Sequence, residues 1–269
     1  MLNHPIDVMI FSKDRPLQLD GLLRSMSLNI DKAKVSVLYH YEEEYASSIN
    51  ELKETHDNVT FIRQVNFCEQ VKTFVDSSPE YCMFLVDDIV FKENVNTAMI
   101  KGIMDDNSNI MTFSLRLGLH LDTCYPLSSK QPVPHGTVYP PGVFVWEWKN
   151  SEMDWNYPLS VDGHVFRSNQ FSSWISELQF SRPNSYEESL QLIRQKYPLP
   201  PVAVCHVRSK IVNLPLNRVQ NDVENKCGDI DSLTLMKMWD EGKRMDIEKY
   251  QGVLNNGAHE ELQLYITEG

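Results

Sequence analysis

Through the first hundred residues, short apolar runs alternate with stretches in which apolar side chains recur every three to four positions. Residues 6–11 (IDVMIF) are a near-continuous apolar run ending in the turn-rich Ser12-Lys13-Asp14-Arg15-Pro16. Leu17, Leu19, Leu22, Leu23 and Met26 then follow at helical spacing. Pro16 suits the first turn of that helix, where its missing N–H costs nothing. Residues 35–39 (VSVLY) predict a second strand, 45–55 a helix with Tyr45, Ile49 and Leu52 inward, and 59–62 (VTFI) a third strand. Residues 67–75 predict a helix with Phe67, Val71 and Phe74 on one face. Residues 81–86 (YCMFLV) are apolar throughout, the mark of a strand buried on both faces.

The order β-α-β-α-β-α-β predicts an α/β fold with parallel strands joined by right-handed crossovers. In such sheets ligands bind beyond the carboxyl ends of the strands. The second half is less regular. Residues 110–115 predict a strand. Residues 118–145, with five prolines, read as a long loop. Residues 159–167 suggest a strand containing Gly163, 184–196 a helix and 202–207 (VAVCHV) a strand. One domain is expected: residues 1–216, divided into halves 1–115 and 116–216, with 217–269 as a C-terminal extension packed on it.

Composition narrows the class. Apolar residues make up 42% and charged residues 23%, as in soluble globular chains, and no apolar run reaches membrane-spanning length. The start of the chain lacks the charged, apolar and small-residue order of a secretory signal. A net charge of −12 argues against a nucleic-acid binder, which needs a basic surface. Five scattered cysteines with no CxxC pair suggest neither a disulfide framework nor a zinc site. There is no GxxxxGK[ST], GxGxxG, HExxH or GxSxG.

The sharpest chemical signal is Asp87-Asp88 at the end of the buried run. Adjacent carboxylates repel, and burial adds a desolvation cost; a hard divalent cation offsets both. The plainer reading makes Asp88 the N-cap of a helix. A second concentration is Trp146, Trp148 and Trp155 followed by Asp162-Gly163-His164. Aromatic faces suit sugar rings, yet tryptophans equally fill cores. Asn184-x-x-Glu187 has the pattern of a capping box. Arg208, Ser209 and Lys210 open the one locally basic stretch, either a lid over phosphates or an ordinary surface loop.

This β-α order, the opening DVMIFSKDRPLQLDGLLRSM and the aspartate pair after an apolar strand resemble the GT-A glycosyltransferases. The resemblance spans roughly residues 5–215 and implies a GT-A-like sheet and a nucleotide-sugar donor (UDP, GDP, CMP or dTDP). It also implies a glycan or lipid-linked glycan acceptor, and Mn²⁺ or Mg²⁺ at Asp87 and Asp88, helped by His206. His206 is otherwise a core histidine. Ile89 stands where the family's motif carries a further acid. Position in the fold implicates Phe11, Ser12, Arg15, Tyr41, Arg63 and Gln64 in nucleotide binding, with Lys72, Asp87, Arg208 and Lys210 near the phosphates. Trp146, Trp148, Trp155, Asp162 and His164 are implied on the acceptor side. Glu187 or Glu188, or failing these Asp162, is implied as the base for an inverting transfer. The resemblance further suggests surface-polysaccharide synthesis on the cytosolic side, with peripheral membrane association. The alternatives are a carbohydrate-binding module using the tryptophans, and a sugar-phosphate nucleotidyltransferase. SKDRP lacks the glycine usual in the latter's first loop.

Overall fold

A computed structural model describes residues 5–219 and 226–269. Residues 1–4, part of the start read above for a signal, and 220–225, within the expected extension, lie outside that description. The first half follows the predicted order: β1 (Ile6–Lys13), α1 (Pro16–Asn29), β2 (Lys34–His40), α2 (Ala46–Thr55), β3 (Thr60–Arg63), α3 (Phe67–Ser77) and β4 (Tyr81–Val86). A short strand β5 (Ile89–Phe91), α4 (Thr97–Asp106) and β6 (Ile110–Ser114) come next.

The segment expected to be a long loop holds four strands: β7 (Thr123–Cys124), β8 (Ser129–Lys130), β9 (Gly136–Tyr139) and β10 (Val143–Glu147). Its prolines masked them. Pro140 and Pro141 lie in the turn between β9 and β10, and Pro132 and Pro134 precede β9, so none is asked for a ladder N–H. The chain continues through β11 (His164–Arg167), α5 (Ser168–Ile175), α6 (Pro183–Lys196), β12 (Val202–His206), β13 (Ile211–Asn213), α7 (Ser232–Asp240), β14 (Lys243–Met245) and β15 (Ile266–Glu268).

Nine strands form the central sheet in the order β3-β2-β1-β4-β11-β6-β12-β10-β9. All run the same way except β11 and β10, so the sheet is mostly parallel. Alternation along each strand divides the apolar residues between two cores. Ile6, Val8 and Ile10 of β1 and Met83 and Leu85 of β4 face the layer with α1, α2, α4 and α7. Met9, Phe11, Cys82 and Phe84 face the layer with α3, α5 and α6. Trp146, Trp148 and Trp155 belong to the second core and are almost wholly buried.

The C-terminal residues return to the first layer. Ser48 Oγ donates to Asp240 at 2.8 Å, and Arg24 Nη2 to the Met245 carbonyl at 2.7 Å. Residues 256–260 then run beside β13: Asn213 N donates to Ala258 O, and Glu260 N to Asn213 O, each at 3.0 Å. This crossing brings a distant part of the chain to the carboxyl end of the sheet.

Candidate active site

The β1 and β4 strands end side by side, Phe11 opposite Val86. Beyond β1 the chain turns sharply at Asp14, which takes a positive φ of 54°. Aspartate tolerates that region better than most side chains. Asp14 Oδ1 accepts from Glu42 N at 2.8 Å, which fixes the turn. The turn delivers Arg15 to the aspartate pair. Arg15 Nη1 donates to Asp87 Oδ1 at 2.8 Å and lies 3.4 Å from Asp88 Oδ2; Nη2 donates to the Asn217 carbonyl at 2.5 Å. Lys13 N donates to Asp87 Oδ2 at 3.1 Å. Asn213 Nδ2 sits 3.5 Å from Asp88 Oδ1.

No helix follows Asp88 directly. β5 does, paired with β13, so the N-cap alternative does not describe this turn. Burial pushes the Asp88 carboxyl up to about 6; Arg15 opposes the rise, and the charge of Asp87 adds to it. One guanidinium is shared by two carboxylates, Asp87 buried and Asp88 half-buried, and leaves them undercompensated.

A second cluster gathers around Arg116. Arg116, just beyond β6, is buried and donates through Nη1 to Ser160 Oγ at 3.0 Å and Asp162 Oδ2 at 3.3 Å. Its Nη2 donates to Asp154 Oδ1 at 2.9 Å, and Gln131 Nε2 donates to Asp154 Oδ2 at 3.1 Å. Gly163, at φ 71°, makes the turn that aims Asp162; a Cβ there would meet Ile211 at 2.3 Å. His259 Nε2, from the C-terminal segment, lies 3.4 Å from Asp162 Oδ2. Burial works to raise the Asp162 carboxyl, but His259 and Arg116 hold it well below the usual carboxylate range. His259 and Asp162 both act electrostatically on Asp88, so the two clusters form one field.

Glu187 joins this group. Val161 N donates to Glu187 Oε1 at 3.2 Å. Burial, reinforced by Asp162, raises the Glu187 carboxyl above its ordinary value. The capping-box expectation is corrected: α6 starts one residue earlier, at Pro183, and Ser185 Oγ accepts from Ser181 N and Arg182 N at 3.0 and 3.1 Å. With that end closed by Ser185, Glu187 turns toward Val161 and Asp162. Glu188, the next residue round the helix, is exposed.

The remaining expected residues are distributed unevenly. Tyr41 lies beyond β2, its ring stacked on Tyr39 at 6.0 Å with the Arg63 guanidinium 5.1 Å from its centre. Gln64 is beside them, its N–H donated to Tyr39 O at 2.8 Å. Ser12 Oγ is buried at the end of β1 without a partner among the described residues. Phe11 is core, packed on Phe67 and Phe84. Lys72 Nζ donates to the Ser176 carbonyl at 2.8 Å, toward α5 and away from the aspartates. Arg208 pairs with Glu93 at 3.1 Å, and Lys210 is half-buried near the same glutamate.

His206 packs edge-on against Phe113, and burial pushes its imidazole down to about 4. His164 is buried over Phe166, its imidazole pushed down to about 3 by burial and by Arg116. All three tryptophans, expected on the acceptor side, are buried in the second core and present no open face to a sugar ring. Arg116, Asp154 and His259 were not legible as candidates, whereas Asn213 and Asn217 lie in the basic stretch opened by Arg208 that was read as a lid over phosphates. Only Arg116, a charge immediately after the apolar run at 110–115, left a usable trace.

Among the described residues no group of three or more His, Cys, Asp or Glu side chains is placed to hold a metal. His206 therefore does not complete a protein-only set with Asp87 and Asp88. Two carboxylates do fit a cation whose other ligands are phosphate oxygens and water. The undercompensated charge at Asp88 fits it as well.

No family model matches the chain. In an alignment 254 positions long that covers 82% of this chain, it is 25% identical to the bifunctional glycosyltransferase pgtA of Dictyostelium discoideum. It spans about a third of that relative, 33%. The solved structure of S. aureus TarS 1-349 in complex with UDP matches 74% of this chain and 57% of its own, at 13% identity and a TM-score of 0.48. The mannosyltransferase PcManGT from Pyrobaculum calidifontis, in complex with GDP-Man and Mn²⁺, matches 42% and 36% at 12% identity and a TM-score of 0.32. No helix among the described residues is long and apolar enough to cross a membrane.

Proposed function

We propose that this chain is a glycosyltransferase domain that moves a sugar from a nucleotide-sugar donor to a hydroxyl of a glycan or lipid-linked glycan. One observation carries the reading. The charge of Asp162 reaches both Asp88, in the aspartate pair at the end of β4, and Glu187, so one electrostatic field joins the two acidic groups. The sequence similarity to a glycosyltransferase over most of the chain supports it. The burial of the tryptophans weighs against a stand-alone carbohydrate-binding module.

Asp87 and Asp88 would hold Mn²⁺ or Mg²⁺, which when bound supplies positive charge beside the departing nucleoside diphosphate. Tyr41, stacked on Tyr39 under Arg63, offers a face for the base. On the acceptor side, Asp162 is held ionised by Arg116 and His259 and so accepts a hydrogen bond from a hydroxyl. Glu187, whose carboxyl burial and Asp162 raise above its ordinary value, takes the proton of the attacking hydroxyl in an inverting transfer. The acceptor oxygen bonds to the anomeric carbon as the bond to the diphosphate oxygen breaks, and that electron pair leaves with the diphosphate. Surface-polysaccharide or glycolipid synthesis, at the inner face of a membrane, is the setting proposed.

Isothermal titration with UDP, GDP, CMP and dTDP, each with and without manganese, tests the reading. Binding of at least one, tighter with manganese, is expected. Failure of all of them in both conditions would overturn it.

A further inference from the structure

Arg15 is more than one side of a salt bridge. Its guanidinium occupies the space between Asp87 Oδ1 and Asp88 Oδ2, 2.8 and 3.4 Å away, where a bridging cation's charge is needed. The side chain is clamped there: Nη2 donates to the Asn217 carbonyl, and Gln18 Nε2 holds the Asn217 side chain at 3.1 Å. Arg15 Nε is buried and has no partner among the described residues. The neighbourhood is also unfinished. Asn213 is 1% exposed and touches Asp88 through Nδ2, while its Oδ1 is buried without a partner. Asn217 Nδ2 is likewise unpartnered.

Charge arithmetic gives this arrangement a consequence. Two ionised carboxylates and one guanidinium sum to −1, which repels a diphosphate. A divalent cation entering with Arg15 in place would face a guanidinium on the same oxygens. Both obstacles are removed together if the guanidinium moves to the phosphates as the cation takes the carboxylates.

Resting on the transferase reading, we infer that Arg15 is the resident counter-cation of Asp87 and Asp88, and that a divalent cation enters only as a diphosphate draws Arg15 away. Metal and nucleotide then bind as a coupled pair. By reciprocity each raises the other's affinity by the same factor. An arginine suits the exchange because its planar fork serves carboxylate and phosphate equally well.

The test is calorimetric titration of MnCl₂ into the wild-type chain, alone and with UDP, GDP, CMP or dTDP in turn, and into Arg15→Met. Wild type is expected to bind Mn²⁺ at least roughly tenfold more tightly with nucleotide than without. Arg15→Met is expected to bind Mn²⁺ alone at least roughly tenfold more tightly than wild type, and to lose most of the nucleotide enhancement. If that variant does not fold, Arg15→Lys, which keeps the charge but not the fork, is expected to show an intermediate gain. A variant that binds Mn²⁺ alone no more tightly than wild type would overturn the inference. So would a wild-type chain that binds Mn²⁺ equally well with and without nucleotide. If no nucleotide binds at all, the transferase reading fails, and the variant's affinity for manganese alone still decides the role of Arg15.

Discussion

Asp88 carries a half-buried charge that costs the folded chain stability at neutral pH. Its folded pKa of about 6 lies above its ordinary value of 3.8. The protonated form is therefore the one the fold favours. Its contribution is present below pH 3.8 and is lost as pH rises through 6. Asp88→Asn should accordingly unfold at higher urea than wild type at pH 7.5, by about 1–3 kcal/mol, with the gap closing toward pH 4. Arg15 keeps Asp87 as a partner in that variant. The same substitution should weaken nucleotide binding in manganese. For Glu187, Glu187→Gln should lower kcat by about 10²–10⁴-fold with little change in nucleotide affinity. A turnover number within threefold of wild type would remove Glu187 from the role of base. Sequence made both residues visible but could not separate Glu187 from Glu188. The difference lies in which side of α6 meets the cleft, and that follows from a helix start set by Pro183 and Ser185.

Among the elements, the turn between Val161 and β11 has the least freedom. Gly163 combines a φ of 71° with contact against Ile211, and its N–H and C=O bond Phe84 O and Leu115 N, each at 2.8 Å. Gly163→Ala should destabilise the chain by about 1–3 kcal/mol and swing Asp162 away from Arg116, seen as an earlier thermal transition. The strands and helices of the first half were legible because each buries one face or two, and burial writes a period of two or 3.6 into the apolar positions. The hairpin of β9 and β10 was not. β9 is an edge strand, exposed at every position, so no buried face imposes alternation on it. The tryptophans show the converse ambiguity: an aromatic suits a sugar site or a core, and only the position of α6 and β12 around them decides between the two.

At the scale of the whole molecule, two remote segments meet at the cleft. Asp162 sits between Arg116, just beyond β6, and His259, near the end of the chain. A double-mutant cycle with Asp162→Asn and His259→Ala, followed by urea unfolding, should show a coupling of about 0.5–2 kcal/mol. Additive effects would mean the 3.4 Å contact carries nothing. The buried histidines set the acid limit. His164 and His206, at about 3 and 4, lie below the ordinary imidazole value of 6.5. The stability they contribute is present above pH 6.5 and is lost as pH falls through those folded values. His164→Gln should flatten the fall in unfolding midpoint between pH 6.5 and 4. By itself the sequence determined the α/β class, the order of the first four crossover strands and the aspartate pair at a strand tip, because hydrophobic period and strand-end chemistry are local. The tertiary structure alone decided which charges share a cleft. The approach of Arg15, Asn213, Arg116 and His259 to four aspartates depends on contacts between residues 38 to 125 positions apart, and no local pattern encodes such contacts.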